Sequence, residues 1–255
     1  MQKGFYDLTS GMLTQNRILN NISNNLANQS TPGYKQDYLL TSTFDEEMQI
    51  RTGNIDKSSQ TDLATASMLR TVDEVYTDFE QGSFNDTGRS LDFAINGDAF
   101  FEITADSDGT TYYTRNGSFT LDEDGNLWLQ HIGLVMGTDD QPINLGTDKV
   151  NCDTEGNIYN EEGTLLGTIK LVEFVDRDQL LKTDEGMFIN QDAANISNDS
   201  TSTIVWQNLE NSNSSLVEAM TNMISAERAF QSASQVLKMY DELLQQTVTE
   251  IARLD

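Results

Sequence analysis

Residues 215–251 read SLVEAMTNMISAERAFQSASQVLKMYDELLQQTVTEI, and the spacing of apolar side chains along this stretch decides the fold class. Leu216, Met220, Met223, Phe230, Leu237, Leu244, Val248 and Ile251 fall at alternating steps of three and four. Glu227, Ser234 and Asp241 fill intermediate steps, with Ala226, Ala233 and Tyr240 beside them. A period near 3.5 residues belongs to a narrow helical seam. Ser215 and Glu218 fit a capping box, in which each side chain satisfies an exposed N–H of the first turn. Asn211, Ser212, Asn213 and Ser214 favour caps over helix interiors. The spacing predicts roughly 40 residues of helix, far beyond the usual 11 or 12. So narrow a stripe on so long a helix calls for a partner helix.

The N-terminus offers one. Phe5, Leu8, Met12, Leu19, Ile22 and Leu26 repeat the alternation, Gln15 fills the missing step, and Ile18 widens the stripe. Pro32 ends this helix by disfavouring helical geometry at Thr31, and Gly33 gives the turn its freedom. Between the helices the period changes to two. Leu91–Ile95, Ala99–Thr104, Thr111–Arg115, Ser118–Leu121, Leu127–Gln130 and Leu166–Val175 read as short strands. The turns Asp106-Ser107-Asp108-Gly109, Asp122-Glu123-Asp124-Gly125-Asn126 and Asp153-Thr154-Glu155-Gly156-Asn157 suit hairpins, because glycine accepts positive φ. The expected organisation is α+β. An N-terminal helix occupies 1–35, an extended connector of polar residues 36–75, an antiparallel, partly closed β domain 76–204, and a C-terminal helix 205–255. The two helices pair as a coiled-coil-like domain.

Composition excludes several classes. Fifteen Lys and Arg against 41 Asp and Glu leave a formal charge of −26. Such a chain repels phosphate backbones and anionic lipid, which argues against nucleic acid and the membrane surface as partners. No run approaches the ~20 apolar residues of a membrane span. Met1-Gln2-Lys3-Gly4-Phe5-Tyr6-Asp7 carries no signal-peptide core, so the expectation is a cytosolic protein or one exported without a cleaved signal. The single cysteine, Cys152, rules out an internal disulfide and cysteine-based metal clusters, and its neighbour Asp153 offers nothing to activate a thiol.

Catalytic chemistry finds little to stand on. The acidic turns do not meet the ligand spacing or the flanking helices of an EF-hand, so they are read as plain hairpins with no metal. His131 is the only histidine and has no serine elbow or zinc-ligand partner around it. No glycine loop fits a nucleotide, and no cofactor is expected. A glycosidase pair could hide among the carboxylates, but turns and helix faces explain them. Asn20, Asn21, Asn24, Asn25 and Asn28 do need explaining, since asparagine is a mediocre helix former. Their amides either solvate a fraying end or bond to neighbouring chains and fix register.

Three stretches resemble a known family. Ile22-Ser23-Asn24-Asn25-Leu26-Ala27-Asn28-Gln29-Ser30-Thr31-Pro32-Gly33-Tyr34-Lys35 is similar to the N-terminal signature of flagellar basal-body rod and hook proteins. Residues 82–101 with Tyr113–Phe119 resemble the start of that family's β domain. Leu209–Asn213 through Met223–Phe230 resemble its C-terminal signature. Ala99 stands where the family often has glycine. The resemblance implies a structural rod subunit, distal or proximal, whose terminal helices polymerise around an axial export channel. It implies as partners copies of itself, other axial proteins of rod and hook, and the flagellar export apparatus, with no enzymatic activity. Asn21, Asn24, Asn25, Leu26, Asn28, Thr31, Pro32, Gly33, Tyr34, Met220, Met223, Arg228 and Phe230 are the expected subunit-interface residues. The competing expectation is a β-headed coiled-coil module that binds a glycan or peptide at the cell surface. A third is a peptidoglycan-cleaving enzyme.

Overall fold

The computed structural model describes residues 2–43, 47–52, 60–66, 70–105, 109–183, 186–197 and 201–251. They form an α+β protein with a long helix towards each end and antiparallel strands between. Two compact units separate. One comprises Met1–Leu26, Asp37–Tyr76 and Leu216–Asp255, the other Ala27–Gln36 and Thr77–Ser215.

The first unit holds α1 (Gln2–Ala27), strands β1 (Asp37–Thr43), β2 (Glu47–Thr52), β3 (Gln60–Ala66) and β4 (Arg70–Thr77), and α2 (Leu216–Ile251). The nearly periodless stretch after Gln36 runs as nested hairpins, β2 on β3 and β1 on β4. Its strands draw on threonine, a β-branched residue that favours extended backbone, and not on alternating apolar residues. Along α2 the least exposed positions are Ala219, Met223, Ala226, Phe230, Ala233, Ser234, Leu237, Tyr240 and Leu244. Met223, Phe230, Ser234, Leu237 and Leu244 lie on the expected steps, and Ala226, Ala233 and Tyr240 were expected beside them. Leu216, Met220 and Val248, also expected in the seam, are exposed. Their place is taken by the alanine row one residue away, where small side chains allow close backbone approach. Ile251 and Phe5 have side chains outside the described residues. On α1, Thr14 and Asn25 are buried, and Gly11, Ile18 and Ile22 are half-buried on the same side.

The second unit continues the strands with β5 (Phe84–Asp86), β6 (Phe93–Asn96), β7 (Phe100–Ala105), β8 (Thr111–Thr114), β9 (Thr120–Leu121), β10 (Leu127–Leu129) and β11 (Gly133–Val135). After them come β12 (Val150–Cys152), β13 (Asn157–Asn160), β14 (Leu165–Thr168), β15 (Leu171–Phe174), β16 (Leu181–Lys182), β17 (Phe188–Ile189), β18 (Ile196–Ser197), β19 (Thr203–Trp206) and β20 (Asn208–Glu210). The main sheet runs β16-β17-β8-β7-β11-β10-β9, with β15 also on β7 and β18 on β15. It is an open path, so the expected partial closure is not found. The separate ladders β12-β13-β14, β19-β6 and β20-β5 account for the difference, because chain that would have closed one sheet pairs elsewhere. The expected strand 166–175 likewise divides. β14 pairs with β13, and β15 pairs with β7, so the chain changes sheets near Ile169.

Period-two alternation on β7 organises the interior. Phe101 and Ile103 enter a cluster with Phe93, Ile95, Phe119, Leu127, Val135, Ile158 and Ile169. Phe100 enters another with Tyr113, Val172, Phe174, Leu180 and Phe188. Full burial of each such side chain is worth roughly 1.5–3 kcal/mol. Several rings meet edge to face, as Phe101 does with Phe119 at 5.1 Å between centroids. This is a preferred aromatic geometry.

Candidate assembly site and its buried ion cluster

The signature ending in Thr31-Pro32-Gly33-Tyr34-Lys35 turns inward in the second unit. Gly33 has φ +68°, and a Cβ there would fall on the backbone of Arg115 and Asn116. Only glycine combines that conformation with so close an approach. The Gly33 N–H donates to the Glu210 carbonyl at 2.7 Å. Tyr34 and Lys35 are buried behind it. The Lys182 ammonium lies 4.0 Å from the centre of the Tyr34 ring and donates to the Lys35 carbonyl at 2.6 Å.

At the centre lies the Glu210 carboxylate. Its Oε1 accepts from Lys35 Nζ at 2.6 Å and from the Gly82 N–H at 3.0 Å. Its Oε2 accepts from Arg115 Nη1 at 3.5 Å. All three charged side chains are at most 1% exposed. Lys35 also donates to the Glu80 carbonyl at 2.8 Å, and the Arg115 guanidinium lies over the Phe100 ring, 4.9 Å from its centre. Burial pushes the Lys35 ammonium below the usual lysine pKa, against the pull of Glu210. Burial likewise lowers Arg115, again opposed by Glu210. Desolvation of this magnitude is tolerable only when each charge has a partner. Asn213 completes the cluster. Its Oδ1 accepts the Gln36 N–H at 2.8 Å, and its Nδ2 donates to the Asp78 carbonyl at 2.9 Å.

Asn25, in the first unit, is 2% exposed. Its Nδ2 donates to the Asp37 carbonyl at 2.8 Å and its Oδ1 accepts the Asp37 N–H at 3.1 Å. The amide thus imitates one rung of a β ladder, within its own chain. A further bond from Nδ2 reaches Asn21 Oδ1 at 3.1 Å, and Thr31 Oγ1 donates to Asn28 Oδ1 at 3.3 Å. Of the other expected interface residues, Asn24, Met220 and Arg228 are exposed, Asn21, Leu26, Asn28, Thr31, Pro32, Met223 and Phe230 half-buried, and Gly33 and Tyr34 buried. Sequence reasoning quoted Lys35, Arg115 and Glu210 inside motifs without assigning them a role.

The acidic turn at Asp153 is satisfied from within. Gly125 and Gly156 take positive φ. Asp153 accepts from the Glu155 and Asn157 N–H groups and from Asn157 Nδ2 and Tyr159 Oη. Slight burial opposes ionisation of this carboxyl, but those bonds hold it below the ordinary aspartate pKa. Asp106, Ser107 and Asp108 lie outside the described residues. Among the described residues no group of three or more His, Cys, Asp and Glu side chains is placed to hold a metal. None of their helices is long and apolar enough to cross a membrane.

Charge is divided unevenly. Residues 1–26 and 216–255 hold five Lys and Arg against seven Asp and Glu, a net of −2, whereas residues 77–215 hold six against 26, a net of −20. Along α2, Val217 is 76%, Ile224 53% and Leu243 60% exposed.

Two long helices, a many-stranded antiparallel β unit and an ion cluster that fastens the beginning of that unit to its end define an architectural α+β protein. Comparison with known proteins makes this specific. A family model described as flagella basal body rod protein matches residues 5–35, one described as flagellar hook protein FlgE/F/G D1 domain matches 94–208, and one described as flagellar basal body rod FlgEFG protein C-terminal matches 207–250. The flagellar basal-body rod protein FlgG of Bacillus subtilis strain 168 is 32% identical over 269 residues, covering 97% of this chain and 98% of the relative. FlgG of Buchnera aphidicola from Acyrthosiphon pisum is 31% identical, over 92% of this chain and 95% of the relative. The flagellar hook-basal body complex protein FlhO of B. subtilis is 25% identical over the full length of both. The chain belongs to the flagellar basal-body rod protein family. The expectation of a surface binding module finds no support in these relatives. Lys35, Arg115 and Glu210 come one from each of the three matched segments.

Proposed function

We propose that this chain is a structural subunit of the flagellar basal-body rod, polymerising through its terminal helices into the axial shaft around the export channel. Its work is mechanical and not enzymatic. The observation that carries the reading is the outer face of α2. Val217, Met220, Ile224, Met239 and Leu243 stay exposed, and the two terminal segments together carry a net charge of only −2. Apolar surface of that extent marks an interaction site, and near-neutral helices can pack between copies while the repelling charge stays on the β unit. The half-buried row of α2 and the matching side of α1 suit a coiled-coil-like pairing of the two helices. Head-to-tail contacts of this kind build open helical arrays. Asn21, Asn24 and Arg228 are the polar residues best placed to set register, and other axial proteins of rod and hook adjoin the two ends of the array. Delivery through the flagellar export apparatus, without a cleaved signal, fits the same reading.

The test is the triple variant Val217→Ser, Ile224→Ser, Leu243→Ser. The expected result is a monomer with wild-type melting temperature that forms no sedimentable polymer and does not restore motility to a strain lacking the subunit. Normal motility with this variant would refute the proposal.

A further inference from the structure

We infer that residues 203–213 are the keystone of the β unit, which does not hold its fold until Glu210 seats between Lys35 and Arg115. Four observations lead there. β19 covers β6 along its whole length and places Ile204 in the core. β20 pairs with β5. The ion pairs of both buried cations run to the same carboxylate. Finally, residues 210–213 complete backbone groups of the unit's early segments: the N–H groups of Gly33, Gln36 and Gly82, and the carbonyls of Asp78 and Ser83. Remove the segment, and two buried cations face each other while those groups lose their partners. Either change alone is among the costliest that a protein interior can suffer.

A chain that emerges amino end first therefore cannot complete this unit until residue 213 is free. Folding of the β unit becomes one late step and not a gradual accretion. The inference is independent of the rod reading, since it concerns a single chain.

Hydrogen exchange read by mass spectrometry on the full-length protein tests it. In the wild type, amides of Phe93–Asn96, Phe100–Ala105 and Asn208–Glu210 should share one opening step. Glu210→Gln takes from two buried cations the one carboxylate that touches both and should lower protection at all three segments together, by about 100-fold. Lys35→Met leaves the Arg115–Glu210 pair neutral and should cost at least tenfold less. Should Glu210→Gln fail to fold, the wild-type comparison and Lys35→Met still decide. Exchange of 208–210 more than tenfold faster than β7 in the wild type would overturn the inference. So would equal damage from Lys35→Met and Glu210→Gln.

Discussion

Replacing Asn25 separates two roles that its sequence position allows. If the amide braces its own chain, its loss destabilises the isolated monomer. If it acts only between copies, the monomer should not notice. Asn25→Ala removes two hydrogen bonds, to the Asp37 N–H and carbonyl, each worth about 1 kcal/mol net, and strands groups whose desolvation adds about 1–3 kcal/mol. A loss of roughly 2–4 kcal/mol follows. Asn25→Asp has nearly the same shape. Its carboxylate still accepts the Asp37 N–H but opposes the Asp37 carbonyl, so at pH 7 it should cost at least as much as alanine. Protonation restores a donor. The folded state then binds its proton more tightly than the unfolded state, which raises the carboxyl pKa on folding. Stability relative to wild type is therefore recovered as pH falls through that raised value. Urea unfolding followed by circular dichroism at 222 nm measures this directly. With a typical slope of about 1–3 kcal/mol per molar urea, the alanine midpoint should fall by about 1–2 M. Wild-type midpoints for both variants at pH 7, or an aspartate deficit unchanged between pH 7 and 4, would refute the bracing role.

Gly33→Ala must adopt positive φ and displace the Arg115–Asn116 backbone, so calorimetry should show the β unit destabilised by about 3 kcal/mol or more, or unfolded. The Cys152 thiol is pushed up to about 12, first by burial and then by Asp153. Iodoacetamide at pH 8 should accordingly modify the native protein at least tenfold more slowly than the urea-unfolded chain. Because the unfolded thiol ionises from about pH 9 while the folded one stays protonated, Cys152→Ala should lose less stability than wild type between pH 9 and 12. Ala226→Glu places a charge on the buried row of α2 and should lower helix melting by about 2 kcal/mol or more. Val217→Ser, on the exposed face, should change melting by less than about 0.5 kcal/mol. Thermal scans at 222 nm compare the two.

Periodicity carried the helices and the β domain, because a single repeated spacing marks each. It misplaced one row of the α2 seam, since large exposed Leu216, Met220 and Val248 outweigh small buried Ala219 and Ala226 in any hydrophobic tally. The hairpins β1–β4 were obscure because Thr, Ser and Gln serve strand and loop alike. The ion cluster was the least visible part. Lys35 and Glu210 stand 175 residues apart, and no local rule connects two charges over such a distance. Asn25 was conspicuous in sequence as an amide at a helix end, yet its partner, the Asp37 backbone, depends on a turn whose geometry Pro32 and Gly33 announce but do not specify.

The strand flanked by two aromatic clusters also bears on how the β unit transmits force. β7 shares one edge with β8 and the other with β11 and β15, so strain entering from either side crosses the same six residues. Pulled along their length, such ladders resist in shear, with several hydrogen bonds loaded at once. Phe100 on one side and Phe101 on the other block the sliding that would release them singly. A twisting shaft built from these units would find in β7 its stiffest spar, and compliance would sit in the two-residue ladders at β9, β16 and β18 on the rim.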